Sequence, residues 1–285
     1  MTRILLLLIA CMALLTAATT ATAATPVVTP DTTGLYMRLV EQADSLIAKE
    51  KYALAIERLI EAMRTEPGNP GNVLLLSNRG MLHYYLGEDS LALACLDMAR
   101  QMAPASVTVL MNRARVHNGL GNYSLAFADY DLATRQDSTL TEAWLQKGMI
   151  QLRGGDVRGA ETSLFQAKKA DPNSKELTLC QAILYSKTNR PSQALPYLNK
   201  ILKKDRQPEY FAERAICRLR TDDLSGAAED IVEGLSLDRD YADLYVARAL
   251  LNRMRYREKD ALNDAKKAVE LGAPKDYVAA LGFKL

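Results

Sequence analysis

Residues 141–173, TEAWLQKGMIQLRGGDVRGAETSLFQAKKADPN, decide the fold, because they read as two short helices joined by a tight turn. One face of the first helix carries side chains at three- and four-residue spacing, namely Trp144, Lys147, Gly148 and Gln151. Two adjacent glycines, Gly154 and Gly155, then favour a turn and end this helix. The pattern predicts one helix followed at once by a reversal of the chain.

The second half of this stretch has the pattern of another helix. Asp156 is placed to cap that helix or to lie in its first turn, and Pro172 follows its end. Its inward stripe consists of Ala160, Leu164 and Ala167. Gly148 and Ala160 are small residues on the two helices, which allows the helices to cross closely. The whole stretch therefore predicts an antiparallel helix hairpin.

The same hairpin recurs along the chain at a nearly constant period. The small residue of the second helix is found at Ala55, Ala92, Ala126, Ala160, Ala194, Ala227 and Ala261. These positions are 37, 34, 34, 34, 33 and 34 residues apart. The small residue of the first helix recurs in register at Ala43, Gly80, Ala114, Gly148, Ala182, Ala215 and Ala249. Hairpins that repeat in this way are typical of a solenoid, in which neighbours share one continuous core.

The order of tryptophan, glycine, glycine, alanine, leucine, alanine and closing proline, at this period, resembles the tetratricopeptide repeat family. The resemblance implies an all-α, right-handed superhelical solenoid of about seven antiparallel helix pairs. We expect the repeats at residues 35–69, 72–105, 107–139, 141–173, 175–206, 208–240 and 242–274. Residues 275–285 are too few for another repeat and are expected to cap the last apolar face.

Composition and motifs argue for a folded protein without catalytic chemistry. Apolar residues make up 48% of the 285, and the net charge of +2 gives no electrostatic argument for nucleic acid. No H-E-x-x-H, G-x-S-x-G, phosphate-loop, dinucleotide or C-x-x-C motif occurs. His83 and His117 are equivalent residues of neighbouring repeats, which favours packed histidines over metal ligands. We predict a non-enzymatic protein with no cofactor, no metal and no small-molecule substrate.

A recurrent pair of opposite charges predicts a contact inside individual repeats. An arginine precedes the small residue of the first helix at Arg79, Arg113, Arg214 and Arg248. Sixteen residues after three of these arginines stands an aspartate, at Asp129, Asp230 and Asp264. The family commonly has leucine and tyrosine at these two places, so the joint exchange predicts an ion pair between the two helices of a repeat.

The resemblance also implies where a partner would bind. In this family the first helices line the concave side of the superhelix, where extended peptides or partner helices bind. The residues that align with this side are Ser77, Met81, Tyr85, Met111, Arg115, Leu145, Met149, Leu179 and Ile183. We expect the apolar ones to be exposed in the free protein, with Tyr85 and Arg115 as the anchors of binding. The alternative is a tightly curled array that buries them between helices.

We therefore predict a scaffold or adaptor that binds a peptide or a partner protein, and not nucleic acid, in its concave groove. Two alternatives stay open. One is an envelope-assembly or chaperone-like periplasmic factor, which a lipid anchor would attach to the membrane. The other, from a different class, is an enzyme with an unrecognised site.

The start of the chain has the pattern of a secretory signal. Residues 1–23 combine Arg3, an apolar run and a small-residue cleavage pattern, and residues 24–34 read as a flexible tether. We expect an exported protein, periplasmic or secreted. The alternative is a lipoprotein, because the residues before Cys11 resemble a lipoprotein box, although the apolar run continues past that cysteine.

Intact-mass analysis of the exported protein distinguishes the two forms. We expect a mature chain that begins near Ala24, because the small-residue cleavage pattern ends at Ala23. A diacylglyceryl group on Cys11, with Met12 as the next residue, would instead establish the anchored form.

Overall fold

The computed structural model describes residues 32–284, with the side chains of residues 34–284. The predicted signal at residues 1–23, including Cys11, and most of the predicted tether lie outside the described residues. Within residues 32–284 the secondary structure is helical and no strand occurs. This confirms the prediction of an all-α fold.

The helices follow one another in pairs. Those of residues 32–284 are α1 Thr32–Ala48, α2 Tyr52–Thr65, α3 Asn72–Tyr85, α4 Asp89–Met102, α5 Val107–Gly119, α6 Tyr123–Gln136, α7 Thr141–Arg153, α8 Val157–Ala170, α9 Lys175–Lys187, α10 Pro191–Leu202, α11 Pro208–Leu219, α12 Leu224–Leu237, α13 Ala242–Met254, α14 Glu258–Glu270 and α15 Lys275–Ala280. Odd-numbered helices up to α13 are the first helices of repeats 1 to 7, and even-numbered helices are the second helices. None of these helices is long and apolar enough to span a membrane.

The two helices of each repeat cross at small buried residues. Ala43 and Ala55 of repeat 1, like Ala114 and Ala126 of repeat 3, have no exposed surface. In repeat 2 the contact is closer still, because a Cβ atom at Gly80 would lie 2.7 Å from Cγ of Leu96. Packing at this distance excludes a larger side chain unless one helix moves.

The turn between the two helices requires one residue with a left-handed backbone in every repeat. It is a glycine in repeats 2, 3 and 4, where Gly87, Gly121 and Gly155 have φ values of 78°, 78° and 81°. The other repeats place Glu50, Asn189, Asp222 and Tyr256 there, with φ values from 56° to 61°. Asparagine and aspartate tolerate this conformation better than other non-glycine residues. The glycine turn predicted from the sequence is thus one solution to a constraint that all seven repeats share.

Neighbouring repeats pack mainly through the first helices. Each second helix of repeats 1 to 6 contacts the first helix of its own repeat and that of the next repeat. First helices also contact each other across repeats, in the pairs α3 with α5, α7 with α9 and α11 with α13. Second helices of neighbouring repeats do not pack on one another to a comparable extent. The first helices therefore line the inner, concave side of the solenoid.

One helix boundary differs from the sequence-based expectations, and one helix contains a proline in its interior. α1 begins at Thr32, so residues 32–34 are helical and not part of a tether; Tyr36 is buried inside this longer helix. α10 begins at Pro191, before Ser192, and this places Pro196 inside the helix. Pro196 has no N–H group to donate to the carbonyl of Ser192. The helix continues because Ala194 and Leu198, on either side of this proline, are buried.

The C-terminal residues cover the end of the last repeat. Val278 of α15 has no exposed surface and Phe283 is 7% exposed, and both pack against buried residues of α13 and α14. Arg253 fixes this segment by donating from Nη1 to the carbonyl of Leu281 at 2.5 Å. Its guanidinium also lies 4.6 Å from the centre of the Phe283 ring. The last apolar face of the array is therefore not open to solvent.

The predicted charge pairs between the helices of one repeat are confirmed. The shortest nitrogen-to-oxygen distances are 2.7 Å for Arg113–Asp129, 2.6 Å for Arg214–Asp230 and 2.6 Å for Arg248–Asp264. Each arginine donates from two nitrogens, which gives a bidentate pair. The three aspartates are buried, whereas the arginines lie only partly in the core.

Arg113, and the lysine in the equivalent place of repeat 4, also reach the second helix of the preceding repeat, which the sequence analysis missed. Arg113 Nη1 lies 2.8 Å from Asp97 Oδ1, and Lys147, in the equivalent place of repeat 4, lies 2.5 Å from Asp131 Oδ1. Both carboxylates precede their cation by 16 residues. This spacing is a periodic signal that was visible in the sequence. The cation thus joins two repeats as well as two helices.

Removing one buried member of these pairs is expected to destabilise the solenoid strongly. Asp230 is 1% exposed and accepts from Arg214 and also from Arg218, at 2.9 Å. Asp230→Ala leaves Arg214 without a carboxylate and Arg218 with only Asp223, at 3.5 Å, and we expect a loss of about 3 kcal/mol in the free energy of unfolding. Chemical denaturation followed by circular dichroism measures it.

The control is an exposed ion pair whose glutamate lies on α12, the helix that carries Asp230. Glu233 lies 2.6 Å from Arg206, and both side chains are more than half exposed. Glu233→Ala is expected to cost less than about 1 kcal/mol because water replaces the lost partner. Equal losses in the two variants would show that the buried pairs do not hold the repeats together.

Candidate functional site

The nine residues expected in the groove all lie on the first helices α3, α5, α7 and α9, but their exposure differs. Tyr85 is 42% exposed, and Met81, Met149, Leu179 and Ile183 are half-buried. Ser77, Met111 and Leu145 are buried, with 0%, 5% and 4% of their surface exposed. The concave side is therefore neither fully open nor fully collapsed.

The expectation that all apolar groove residues are exposed is wrong for Met111 and Leu145. Met111 packs with Ala143 of the next first helix, and Leu145 packs with Leu177 and Leu184 of α9. Both side chains therefore lie in the contact between their own first helix and that of the following repeat. Burial there supplies the contact between consecutive first helices, so these side chains are not offered to a ligand.

Arg115 is also not a free anchor, because it belongs to a polar network that crosses three repeats. Its Nε and Nη2 donate to the two carboxylate oxygens of Glu142 on α7, at 2.7 Å and 2.5 Å. Its Nη1 donates to Asn112 Oδ1 at 2.8 Å, and Asn112 Nδ2 donates to Ser77 Oγ at 3.0 Å. The network joins α3, α5 and α7 on their concave side and fixes the relative positions of repeats 2, 3 and 4.

Tyr85 keeps an accessible surface at the N-terminal half of the groove. Its ring centre lies 5.4 Å from that of Tyr52 and 6.2 Å from that of Tyr84. Burial of one side of the ring raises the pKa of Tyr85, and the positive charge of Arg115 opposes this rise. The three rings form an aromatic cluster that leaves part of Tyr85 facing solvent.

The C-terminal half of the groove is bordered by charged residues that the sequence analysis did not single out. The second residue of four successive first helices is acidic, at Glu142, Glu176, Glu209 and Asp243. Glu213 adds a carboxylate in the middle of α11 and accepts from Ser186 Oγ at 2.8 Å. The recurrence at steps of 34, 33 and 34 residues was the available signal.

Two tyrosines stand beside these carboxylates. Burial raises the pKa of Tyr241 to about 12, and the negative charges of Asp243, Glu209 and Glu213 add to this rise. Burial also raises the pKa of Tyr277, helped by Asp243 and Glu213 and opposed by Arg220. Tyr277 is 41% exposed. The negative charges of Asp243 and Glu213 thus act on both phenols.

Both histidines and the three cysteines of residues 34–284 lie inside the repeats. His83 and His117 are buried, and Nδ1 of His83 lies 2.6 Å from a carboxylate oxygen of Glu88, a neighbour that the sequence analysis overlooked. Cys95 and Cys217 are buried and Cys180 is partly buried, where burial raises its pKa to about 12. Among residues 34–284 no three His, Cys, Asp or Glu side chains meet as a possible metal site.

Two clefts at the turns between helices are open to solvent. One of about 640 Å³ is lined by Leu152, Val157 and Glu161 of repeat 4 and by Lys187, Thr188 and Arg190 of repeat 5. Arg190 crosses it to reach Glu161 at 2.6 Å. The cleft is thus spanned by an ion pair, and it offers no enclosed cavity for a small ligand.

Comparison with known proteins agrees with the repeat architecture. Residues 77–140 match the tetratricopeptide repeat family. Serine/threonine-protein phosphatase T of Aspergillus oryzae is 37% identical over 70 residues, which are 25% of this chain and 15% of the phosphatase. The chain thus spans less than a sixth of that relative.

Solved structures extend the likeness to most of the chain. A tetratricopeptide repeat protein from Parabacteroides merdae is 26% identical, with a TM-score of 0.66, over 86% of this chain and 96% of that one. YrrB, described as a tetratricopeptide repeat protein with an unusual peptide-binding site, has a TM-score of 0.52 and 19% identity over 66% of this chain and 96% of its own. With its seven stacked helix pairs and the match at residues 77–140, the chain has the fold of the tetratricopeptide repeat proteins.

Proposed function

We propose that this protein is a non-enzymatic scaffold that binds an extended or helical segment of a partner protein along its concave groove. The observation that carries the proposal is the row of half-buried apolar side chains on consecutive first helices. Met149, Leu179 and Ile183 lie on α7 and α9 without being closed off by another element of residues 34–284. Methionine and branched aliphatic side chains on an accessible concave surface suit recognition of a partner's apolar side chains.

The length of the groove favours a polypeptide over a metabolite. Packed helices lie about 8–10 Å apart, so four consecutive first helices span roughly 30 Å. A segment of about nine extended residues covers that distance. YrrB, described as having an unusual peptide-binding site, has the same fold, and this supports a peptide as the class of ligand.

The arginine–aspartate pairs have a structural role and do not form a catalytic site. The arginine–aspartate pairs recur in repeats 3, 6 and 7 and join helices in each case. A reaction requires one group of residues with distinct roles at one place. Recurrence in equivalent positions is instead what a repeated structural contact produces.

Selection from a random 12-residue peptide library against the whole protein tests the groove. We expect binding peptides whose affinity falls about tenfold in Leu179→Ser/Ile183→Ser, because roughly 1.4 kcal/mol of apolar contact is lost. Fluorescence anisotropy of the labelled peptides measures the affinity.

The matched control for this test is Val232→Ser. Val232 is 69% exposed on the second helix α12, away from the groove. This variant is expected to bind the peptides as the unchanged protein does. Peptides that lose affinity in the control, or keep it in the groove variant, would place their binding on another surface.

A separate expectation follows from the position of Arg115. Arg115→Ala leaves Glu142 without its guanidinium and breaks the link between repeats 3 and 4, so we expect a loss of about 2 kcal/mol in stability. Tyr85→Ala removes a 42% exposed ring, and its expected cost is under about 1 kcal/mol. Denaturant unfolding compares the two variants. A larger loss for Tyr85→Ala would mean that the aromatic cluster, rather than the polar network, holds these repeats.

A further inference from the structure

We propose that the cleft between repeats 3 and 4 binds an apolar side chain of a partner protein together with the carboxylate of an acidic residue next to it. This cleft lies between the start of α6 and the end of α7 and has a volume of about 480 Å³. It is lined by Tyr123, Ser124, Phe127, Ile150, Arg153 and Gly154. None of these is among the nine residues of the predicted groove, so the site goes beyond the proposed function and does not rest on it.

The equivalent cleft between repeats 2 and 3 is filled by the chain itself. Tyr84 and Leu93 pack there on the buried cluster that contains Val116, and the last two stand 34 residues before lining residues of the open cleft. Tyr84 also lies so close to Gly119 that a Cβ atom on this glycine would overlap the phenol oxygen. In repeat 3 the residue equivalent to Tyr84 is Asn118, whose shorter side chain is hydrogen-bonded to the next first helix. The place that Tyr84 fills therefore stays open between repeats 3 and 4.

The cleft between repeats 4 and 5 is closed in another way. Arg190 crosses it to Glu161 at 2.6 Å. Between repeats 3 and 4 the equivalent residues are Asp156 and Phe127, which do not form an ion pair with each other. Asp156 instead caps α8. The open cleft thus lacks both of the internal closures that its neighbours have.

The walls of the open cleft are mainly apolar. Tyr123 and Phe127 lie one turn apart on α6 and Ile150 lies on α7, and all three are half-buried. An apolar side chain inserted between them would remove their remaining surface from water. The cleft is too open to enclose a free metabolite, so we expect the group that enters it to belong to a larger partner with further contacts.

Arg153 adds a cation to this apolar surface. Its guanidinium lies 4.5 Å from the centre of the Tyr123 ring. Stacking occupies the flat face of a guanidinium and leaves the N–H groups at its edge free to donate. Within residues 34–284 these N–H groups have no hydrogen-bond acceptor, and no carboxylate lies within ion-pair distance of them. The charge is therefore oriented by Tyr123 but not neutralised.

The equivalent cations of the next two repeats do have an oxygen partner inside the chain. Lys187 Nζ lies 4.0 Å from Glu213 Oε1, and Arg220 Nη1 donates to the carbonyl of Ser186 at 3.2 Å. Arg153 stands 34 residues before Lys187 and 67 before Arg220. It is thus the cation at this position whose acceptor must come from outside residues 34–284.

The local charge suits a carboxylate better than a phosphate. Lys147 lies 5.5 Å from the centre of the Phe127 ring, but Asp131 neutralises it at 2.5 Å. Arg153 then offers a single positive charge, with the hydroxyl of Ser124 as a further donor in the lining. One guanidinium matches the single charge of a carboxylate in a bidentate pair, whereas a phosphate monoester carries close to two negative charges.

Two capped dipeptides test the site, acetyl-Phe-Glu-amide and acetyl-Phe-Gln-amide, because the only carboxylate in either is the glutamate side chain. We expect both to shift the amide NMR resonance of Gly154 in the whole protein, and the glutamate form to bind about fivefold more tightly. Arg153→Gln is expected to lower the affinity for the glutamate form to that for the glutamine form, which itself stays unchanged.

A second variant tests the apolar wall. Phe127→Ala is expected to weaken both dipeptides about fivefold, because contact area with their phenylalanine ring is lost. Acetyl-Gly-Glu-amide lacks that ring and is expected to bind more weakly than both. Circular dichroism checks that each variant is folded, and Ile150→Ala replaces Phe127→Ala where it is not.

The matched control is Arg64→Gln, which removes the same charge from an exposed residue of α2 that has no ion pair within residues 34–284. It is expected to bind both dipeptides as the unchanged protein does. The groove variant Leu179→Ser/Ile183→Ser is expected to bind them unchanged as well, because the cleft and the groove share no residue.

The outcomes separate this site from the proposed groove. Equal affinities for the two phenylalanine dipeptides, a preference that survives Arg153→Gln, or an equal loss in Arg64→Gln would overturn the carboxylate site. Acetyl-Gly-Glu-amide binding as tightly as the phenylalanine form, or no shift at Gly154, would overturn it too. Loss of dipeptide binding in the groove variant would place these ligands in the groove instead. Selected 12-residue peptides that are indifferent to the groove variant would overturn the groove and leave the cleft standing.

Discussion

The close crossing of the two helices in each repeat is the contact on which the rest of the structure depends. At Gly80 the second helix is so near that a Cβ would meet Leu96 at 2.7 Å, and at Ala114 and Ala126 the methyl groups are fully buried. Such a crossing fixes the angle between the helices, because ridges of one helix must enter grooves of the other. Seven such helix pairs stack along the chain, and the concave side follows from that arrangement.

Burying an ion pair in this core needs a reason beyond stability, since apolar residues of similar volume often stabilise as well or better. The contacts of the arginines suggest such a reason. Each arginine contacts the second helix of its own repeat, and some also contact the preceding repeat. Arg113 binds Asp129 and Asp97 together, so it is satisfied only when both repeats are in register. In an array of similar units, a packing error by one repeat would leave that charge unpaired. Arg113 thus couples the packing of repeats 2 and 3.

The sequence predicts the fold well because the pattern of one helix pair recurs in every repeat. Period, turn position and the small residues at the crossing recur, so one unusual repeat, such as the one with Pro196, does not hide the pattern. The concave residues were less predictable. Met111 and Met149 belong to neighbouring first helices, yet Met111 is buried and Met149 is half-buried. A position on a helix shows which side it faces but not how closely the next repeat approaches, and that distance depends on side chains far away in the sequence.

Arg115 illustrates the same limit of prediction from the sequence. From its position on the groove, the sequence predicted Arg115 as an anchor for a ligand. The carboxylate that it binds, Glu142, instead belongs to the chain itself. A concave position in a repeat protein can serve the contact between repeats or the contact with a partner, and the neighbouring residues decide which. Where an arginine precedes the acid, the groove is closed by an internal pair.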